Sequence, residues 1–487
     1  MNTDEPDDSV PRYATEFDEV HRQFLQLEED LDLFGLTIDG MHVWERLRTG
    51  VWMDLLTGRG LTGDVYGNAI SRRDRLRGAY LLLRNVVVRN PFLASPAEIL
   101  FMGHPRRKRL SDTWWDIYCD PIHEHTEFDS LHVESSYFFK HYRPARTPGL
   151  RYTDLIEILS LVNSKLRLSR YEFTPAERAT VAETEAQIRS RFGVDLELQE
   201  RVRTEIEARR VAKPLYSRLL KRLDPRLVVI VAYSREHTFI ESCHDCGIPV
   251  VELQHGQMSR YSYQHSFPGD RTKYAFPDYL FTFGEFWNTA ADFPIAEDRV
   301  RDVGYPYLEQ EVAKRSDTDQ RDQIVFVSTA ESGQKLTKIA VEVSMRSAVT
   351  SDVVCKLHPD EYDRWRAEYP WLTDAPVSVA AGDGPSLYDL FAESSVQVGV
   401  GSTALYEGLA FGLPTYVVKL PTVEWSAPII ENGEATLVES ADELVTHLSA
   451  PTTRTVTPTT YFTPNAIENI TKELDSLLSE ATVAKKQ

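Results

Sequence analysis

Hydrophobic and polar positions along this chain fall into three successive rhythms. Phe17, Val20, Phe24, Leu27 and Leu31 recur at three- and four-residue spacing, which predicts a helix with one apolar face. Residues 1–90 as a whole read as a mostly helical N-terminal region. At 98–103 the pattern changes to EILFMG, a continuous apolar run ending in the loop-like HPRRKR, which predicts a buried strand and the start of an α/β core. A second helical stretch is predicted over about 152–223. Within it Thr174, Pro175 and Glu177 fit the N-cap, N1 and N3 positions of a capping box. The charged helices that follow are expected to face solvent.

From residue 226 the rhythm becomes strand, helix, strand. RLVVIVAY, IPVVELQHG, DYLFTFGEFW and RVRDVGYP are apolar runs, and SREHTFIESCHDCG between the first two reads as a helix closed by Gly247. A polar stretch at 308–322 reads as a linker. The rhythm then restarts with QIVFVSTAESG, SDVVCKLHP, APVSVAAGDGP, SSVQVGVGST and LPTYVVKLP, separated by helical patterns. Continuous Val/Ile/Leu runs between helices predict parallel sheets covered on both faces, with ligands held beyond the strand C-termini. The expected fold class is α/β, two Rossmann-like domains facing across a cleft. The first covers 91–307 and carries the helical insertion at 152–223; the second covers 323–450; 451–487 form a tail with an amphipathic helix.

Composition narrows the function classes. The 487 residues carry a formal charge of −20, which argues against a nucleic-acid binder whose affinity comes from neutralised phosphates. Four cysteines are too few for a secreted disulfide framework, the N-terminus reads MNTDEPDDSV rather than as a signal peptide, and no run of 18 apolar residues occurs. A cytoplasmic protein is expected. The 40 arginines against 14 lysines, beside the acidic excess, resemble compositions from salt-rich cytoplasm. The charge is uneven: 41–110 holds 13 basic residues against 5 acidic ones. Within it the stretches 44–56 and 72–91 interleave arginines with aliphatics. They read either as a peripheral contact with the inner face of the cell membrane or as core elements whose arginines pair with carboxylates.

Candidate chemistry collects where apolar runs end in small, hydroxylic or imidazole residues. VFVSTAESG presents Ser328, Thr329, Ser332 and Gly333 at a strand-to-helix turn. VVCKLHPDE presents Lys356 and His358, and VGVGSTALYEG presents Gly401, Ser402, Thr403 and Glu407. Gly401 permits close backbone approach, the hydroxyls can donate, and a following helix offers N–H groups to an anion. One helix N-terminus contributes only about 0.3–1 kcal/mol, so holding a diphosphate calls for two such turns plus Lys356 and His358. Glu407, one helical turn beyond Thr403, is spaced to accept from a sugar hydroxyl. The competing reading is that Ser402 and Thr403 only cap a helix. In the first unit His255 follows a strand and precedes Gly256, poised to take a proton from an attacking hydroxyl. Gln254, Gly256 and Glu285 join it on the acceptor side. Zinc is a rival use for Cys243, His244 and Cys246 with His237, and for Cys119 with His123, His125 and His132, although neither set has a recognised finger spacing.

The Gln254-His255-Gly256 turn, the Gly304-Tyr305-Pro306 turn, Lys356-Leu357-His358-Pro359, and Gly401-Ser402-Thr403 with Glu407 occur in the order seen in GT-B glycosyltransferases. Over about 227–421 the chain resembles the capsule-polysaccharide and CDP-glycerol glycerophosphotransferase-type enzymes of that superfamily. The resemblance implies a nucleotide-activated donor in the second domain. The stretch from Asp383 to Leu387, with Pro385, would lie near the base, and Ser402, Thr403 and His358 on the phosphates. It also implies His255 as base or acceptor-orienting residue. Gln254 stands where the glycerophosphotransferases usually have an aromatic residue, which favours a sugar over a polyol phosphate. The expected activity is sugar transfer to a hydroxyl of a surface-glycan acceptor, lipid-linked or free, with no metal and no cofactor, the nucleotide sugar being a substrate. A nucleotide-sugar 2-epimerase is a second reading. A non-catalytic nucleotide-sugar-binding scaffold of a glycan-assembly complex is a third, kept open by the large N-terminal portion.

Overall fold

In the computed structural model of the protein, residues 15–62, 72–137, 140–166, 168–449 and 458–484 are described. The apolar runs become two parallel sheets. The first contains β1 (Ile99–Met102), β2 (Ser130–Glu134), β3 (Arg151–Tyr152), β4 (Leu227–Val231), β5 (Val250–Leu253), β6 (Tyr279–Thr282) and β7 (Val300–Asp302), in spatial order β7-β6-β5-β4-β1-β2-β3. The second contains β8 (Gln323–Val327), β9 (Asp352–Lys356), β10 (Ser378–Ala380), β11 (Val396–Gly399), β12 (Thr415–Val418) and β13 (Ala435–Val438), in order β10-β9-β8-β11-β12-β13. Each sheet reverses its strand order beside its first strand, and at such a switch point the loops splay apart and leave a crevice. Two Rossmann-like units therefore stand in one chain.

Helices α1 (Thr15–Asp30), α2 (Val43–Gly58) and α3 (Arg72–Val88) precede the first sheet, and α4 (Asp154–Leu166), α5 (Pro175–Phe192) and α6 (Leu198–Leu223) form the insertion. The Thr174–Glu177 capping box is present in both directions and starts α5. The insertion helices are less solvent-facing than their charge predicts. Val181, Ile188, Phe192, Val202 and Ile206 share one apolar core with Phe17, Phe24, Trp44 and Trp52 of α1 and α2. The amphipathic stretch 44–56 lies inside that core, so the membrane contact expected of it is not available. Its Arg48 is buried and donates to both oxygens of Glu28, which also holds Arg271 at 2.8 Å. Arg48 donates further to the carbonyls of Tyr263 and Ser266. The N-terminal helices thus grip the long loop that follows β5.

Helix α7 (His237–Asp245) follows β4 as predicted, with Gly247 in the left-handed conformation behind it. The stretch expected to be a linker begins inside α8 (Pro306–Ala313), whose Tyr307 and Leu308 are buried in a core shared by both sheets. The second sheet carries α9 (Gly333–Ser344) after β8 and α10 (Thr403–Ala410) after β11. Helix α11 (Ala466–Ala484) returns to the first sheet, where Ile470, Leu474, Leu477 and Leu478 pack beside Leu227 and Val229. At about 1.5–3 kcal/mol for each fully buried aliphatic side chain, this contact holds the tail to the first domain. The domains also pack directly, with the rings of Trp287 and Tyr406 centred 4.7 Å apart. Among the described residues, no helix is long and apolar enough to cross a membrane.

Candidate active site between the two sheets

The second domain brings its three sequence-marked turns to one sheet edge. β8 ends at Val327, just before Ser328, β9 at Lys356 and β11 at Gly399, and neighbouring strands pair in register there. The centre of this edge is Glu361, a fully buried carboxylate absent from the sequence reading. It accepts from the His358 N–H at 2.6 Å, the Ser328 hydroxyl at 3.0 Å and the Tyr369 hydroxyl at 2.6 Å. Burial pushes the Glu361 carboxyl up despite these bonds. Gly333 is needed because a Cβ there would sit 1.9 Å from a Glu361 oxygen. Ser328 and Gly333 thus serve the His358 turn through Glu361. The spacing His358-x-x-Glu361, with Pro359 between, is that of a capping box and is the signal that could have found it.

His358 Nδ1 accepts the Asp360 N–H at 3.3 Å, which leaves the imidazole proton on Nε2 as a donor. Burial lowers the pKa of His358, opposed by Asp360. Lys356 is buried and donates to the Pro385 carbonyl at 3.0 Å. Burial and Lys108 push its pKa down. Pro385 lies exposed in the loop leading to Leu387, where a helix begins. Thr329 is buried and accepts from the Ser332 N–H.

At the third turn, Gly401 has φ +60°, and a Cβ there would lie 2.5 Å from the Thr422 hydroxyl, so the position requires glycine. Its N–H is taken by Ser426 at 2.8 Å. Ser402 caps α10 by accepting the Ala404 N–H, and Thr403 accepts the Gln257 N–H at 3.0 Å. Two of the backbone donors expected for an anion are therefore spent. Both hydroxyls act as acceptors in these bonds, and each keeps its own proton to donate. Glu407 accepts from Tyr388 and interacts with Lys108; burial still raises its pKa.

On the first domain, His255 follows β5. Its Nδ1 is buried without a hydrogen-bond partner, 3.8 Å from Glu252. Its ring lies against His104, centroids 5.9 Å apart, and Tyr118 donates to its carbonyl at 2.8 Å. Burial, reinforced by His104 and His265, holds His255 well below the ordinary histidine range, so the ring is neutral near pH 7. Gln254 is fully engaged with backbone, donating to the Gly256 carbonyl and accepting from Phe283 N–H. Glu285 is exposed on a short turn after β6. That turn packs against the segment at Tyr461, away from the His255 contacts.

The two edges meet. Gln257, two residues beyond His255, bonds to Thr403 and to the Gly401 carbonyl, and a Cβ on Gly256 would lie 3.4 Å from the Thr403 hydroxyl. The loop after β1 crosses from the same side. Arg107 anchors it inward on Glu134 and Thr147, while Arg106 reaches Asp360 beside His358 at 3.8 Å. Lys108 lies over the rings of Tyr307 and Tyr388. His104, Arg106 and Lys108 were read from sequence only as a basic loop; their approach to the second domain is tertiary and leaves no local pattern. The zinc readings do not converge: Cys243 sits in the apolar core and His132 stacks on Phe101. Among the described residues no group of three or more His, Cys, Asp or Glu is arranged to hold a metal ion.

No protein-family model matches the chain, and no curated protein matches it by sequence. Solved structures are similar in overall shape. UDP-GlcNAc 2-epimerase from Methanocaldococcus jannaschii aligns at 12% identity and TM-score 0.45, covering 78% of this chain and 99% of its own. The wall teichoic acid polymerase TagF aligns at 10% identity and TM-score 0.40, covering 84% and 92%. The glycosyltransferase of kitacinnamycin aligns at 14% and 0.42, covering 81% and 99%. At these scores the likenesses decide nothing about the reaction.

Proposed function

We propose that the protein is a metal-independent glycosyltransferase that moves a sugar from a nucleotide-activated donor to a hydroxyl of a surface-glycan acceptor. The observation that supports this reading is the contact between the His255 loop and the Gly401–Thr403 turn, in which Gln257 bonds to Thr403 and to the Gly401 carbonyl and so joins the end of β5 to the end of β11. The diphosphate of the donor lies against the Ser402 and Thr403 hydroxyls, the α10 N-terminus, His358 Nε2–H and Lys356. The acceptor oxygen attacks the anomeric carbon and His255 takes its proton. As the new C–O bond forms, the bond from the anomeric carbon to the diphosphate breaks, and its electron pair leaves with the nucleoside diphosphate. Negative charge grows on that leaving group in the transition state, where preorganised donors act most strongly.

His255 supports the base role because burial keeps it unprotonated without a carboxylate hydrogen bond to hold its proton. Arg106 and Lys108 add positive charge to the donor side from across the cleft. The test is incubation with a panel of nucleotide sugars and glycan acceptors, with products separated by chromatography. Transfer to the acceptor with release of nucleoside diphosphate supports the proposal. Epimerised nucleotide sugar without an acceptor, or binding with no turnover, would replace it by the epimerase or the scaffold reading.

A further inference from the structure

Helices α3 and α4 pack side by side on the outer flank of the first domain, and each turns part of its apolar surface outward. Inward, Leu82 and Asn85 of α3 are buried and Asn85 donates to Asp154 of α4 at 2.8 Å. Outward, Leu83 is 60% and Val87 71% exposed on α3, and Leu166 is 65% and Leu168 69% exposed at the end of α4. Large aliphatics this open, on two neighbouring helices, mark an interaction surface rather than scattered surface residues.

Charge identifies the occupant. In a chain of net −20, the described side chains of 80–89 and 154–170 include four basic residues, Arg84, Arg89, Lys165 and Arg170, against two acidic ones. Both acids are spent inward: Asp154 binds Asn85 and His141, and Glu157 binds Ser136. Arg84 and Lys165 stand exposed among the aliphatics. Exposed basic residues beside open Leu and Val make an interfacial helix pair. A symmetric contact with a second copy would set this positive face against itself.

We propose that the α3–α4 face docks on an anionic lipid bilayer, with the aliphatics entering the headgroup boundary and the basic residues meeting lipid phosphates. The inference does not depend on the sugar-transfer reading, since binding is measured without donor.

The test is co-sedimentation of the full chain with vesicles of phosphatidylcholine alone or mixed with phosphatidylglycerol. The wild type is expected to bind the mixed vesicles, less so as salt screens the charges, and Arg84→Glu to bind at least about five-fold more weakly. Val87→Asp and Leu166→Asp are expected to lose binding more than about ten-fold, with the thermal midpoint of each exposed-site variant unchanged. Three results would overturn the proposal: no binding of wild type to mixed vesicles, equal binding of the Asp variants, or a wild-type dimer in solution that Val87→Asp converts to a monomer.

Discussion

The two sheet edges that face each other across the cleft are built from opposite chemistry. The edge of the first domain offers two histidines, His104 and His255, whose pKa values burial lowers. The edge of the second offers donors and cations: the Ser402 and Thr403 hydroxyls, His358 Nε2–H and Lys356. The means of support differ as well. The His255 loop is gripped from outside by N-terminal helices through the buried Arg48–Glu28–Arg271 group, whereas the His358 turn is held from within its own domain by Glu361. On the proposed reading a base must be unprotonated to accept the acceptor's proton, and a leaving-group site must be rich in donors. Dividing the two between domains lets each be tuned without disturbing the other.

Because the two edges are supported separately, substitutions on them are expected to have separable effects. The largest is expected for His255→Ala: loss of a general base costs about 10²–10⁴ in turnover, read by product release, with the melting temperature little changed. Next is Glu28→Ala, which strands two buried guanidinium groups. It should destabilise the fold by about 3–5 kcal/mol in denaturant titration while leaving the second domain's donor groups intact. His358→Ala is expected to lower turnover more than about ten-fold by removing one leaving-group donor, in protein that still folds.

Smaller effects sharpen the contrast through pH and metal. Burial, with Arg48 nearby, holds His21 to about 4, and burial with His123 nearby holds His132 to about 3. Both are neutral in the folded chain near pH 7 but take up protons on unfolding below the ordinary value of 6.5, so their contribution to stability is lost as pH falls from 6.5 through about 4 for His21 and about 3 for His132. Against the opposing effect of burial, hydrogen bonds to Asp154 and Glu134 raise His141 to about 9. Its contribution is complete below 6.5 and lost as pH rises through 9. Melting curves across pH are therefore expected to peak between these limits. Chelator treatment is expected to leave turnover unchanged; a rate restored only by added divalent metal would show that a bound ion shares the leaving-group role.

Much of the second domain was legible because its strands are continuous apolar runs that end in recognisable turns. β8, β9, β11 and β12 lie where the pattern predicts, and so do Lys356, His358 and Gly401 at their ends. The strands that escaped notice are short or mixed: SLHVE of β2, the two-residue β3, and ATLV of β13. Glu361 had a local signal in its three-residue spacing from His358. Lys108 and Gln257 had none, because their meaning comes from the approach of the other domain. The charged helices α5 and α6 misled for a related reason. Their surface faces are so polar that the apolar stripe of Val181, Ile188, Val202 and Ile206 is diluted, and only the neighbouring α1 and α2 show what it packs against.

The most direct measurement is a paired one: calorimetric affinity for UDP, CDP and GDP beside turnover, for wild type, His255→Ala and His358→Ala. If the first-domain edge supplies the base and the second holds the leaving group, His255→Ala binds the preferred nucleotide as wild type does and does not turn over, while His358→Ala loses affinity and turnover together. Loss of nucleotide affinity in His255→Ala, or wild-type turnover in that variant, would contradict the division of labour on which the proposed function stands.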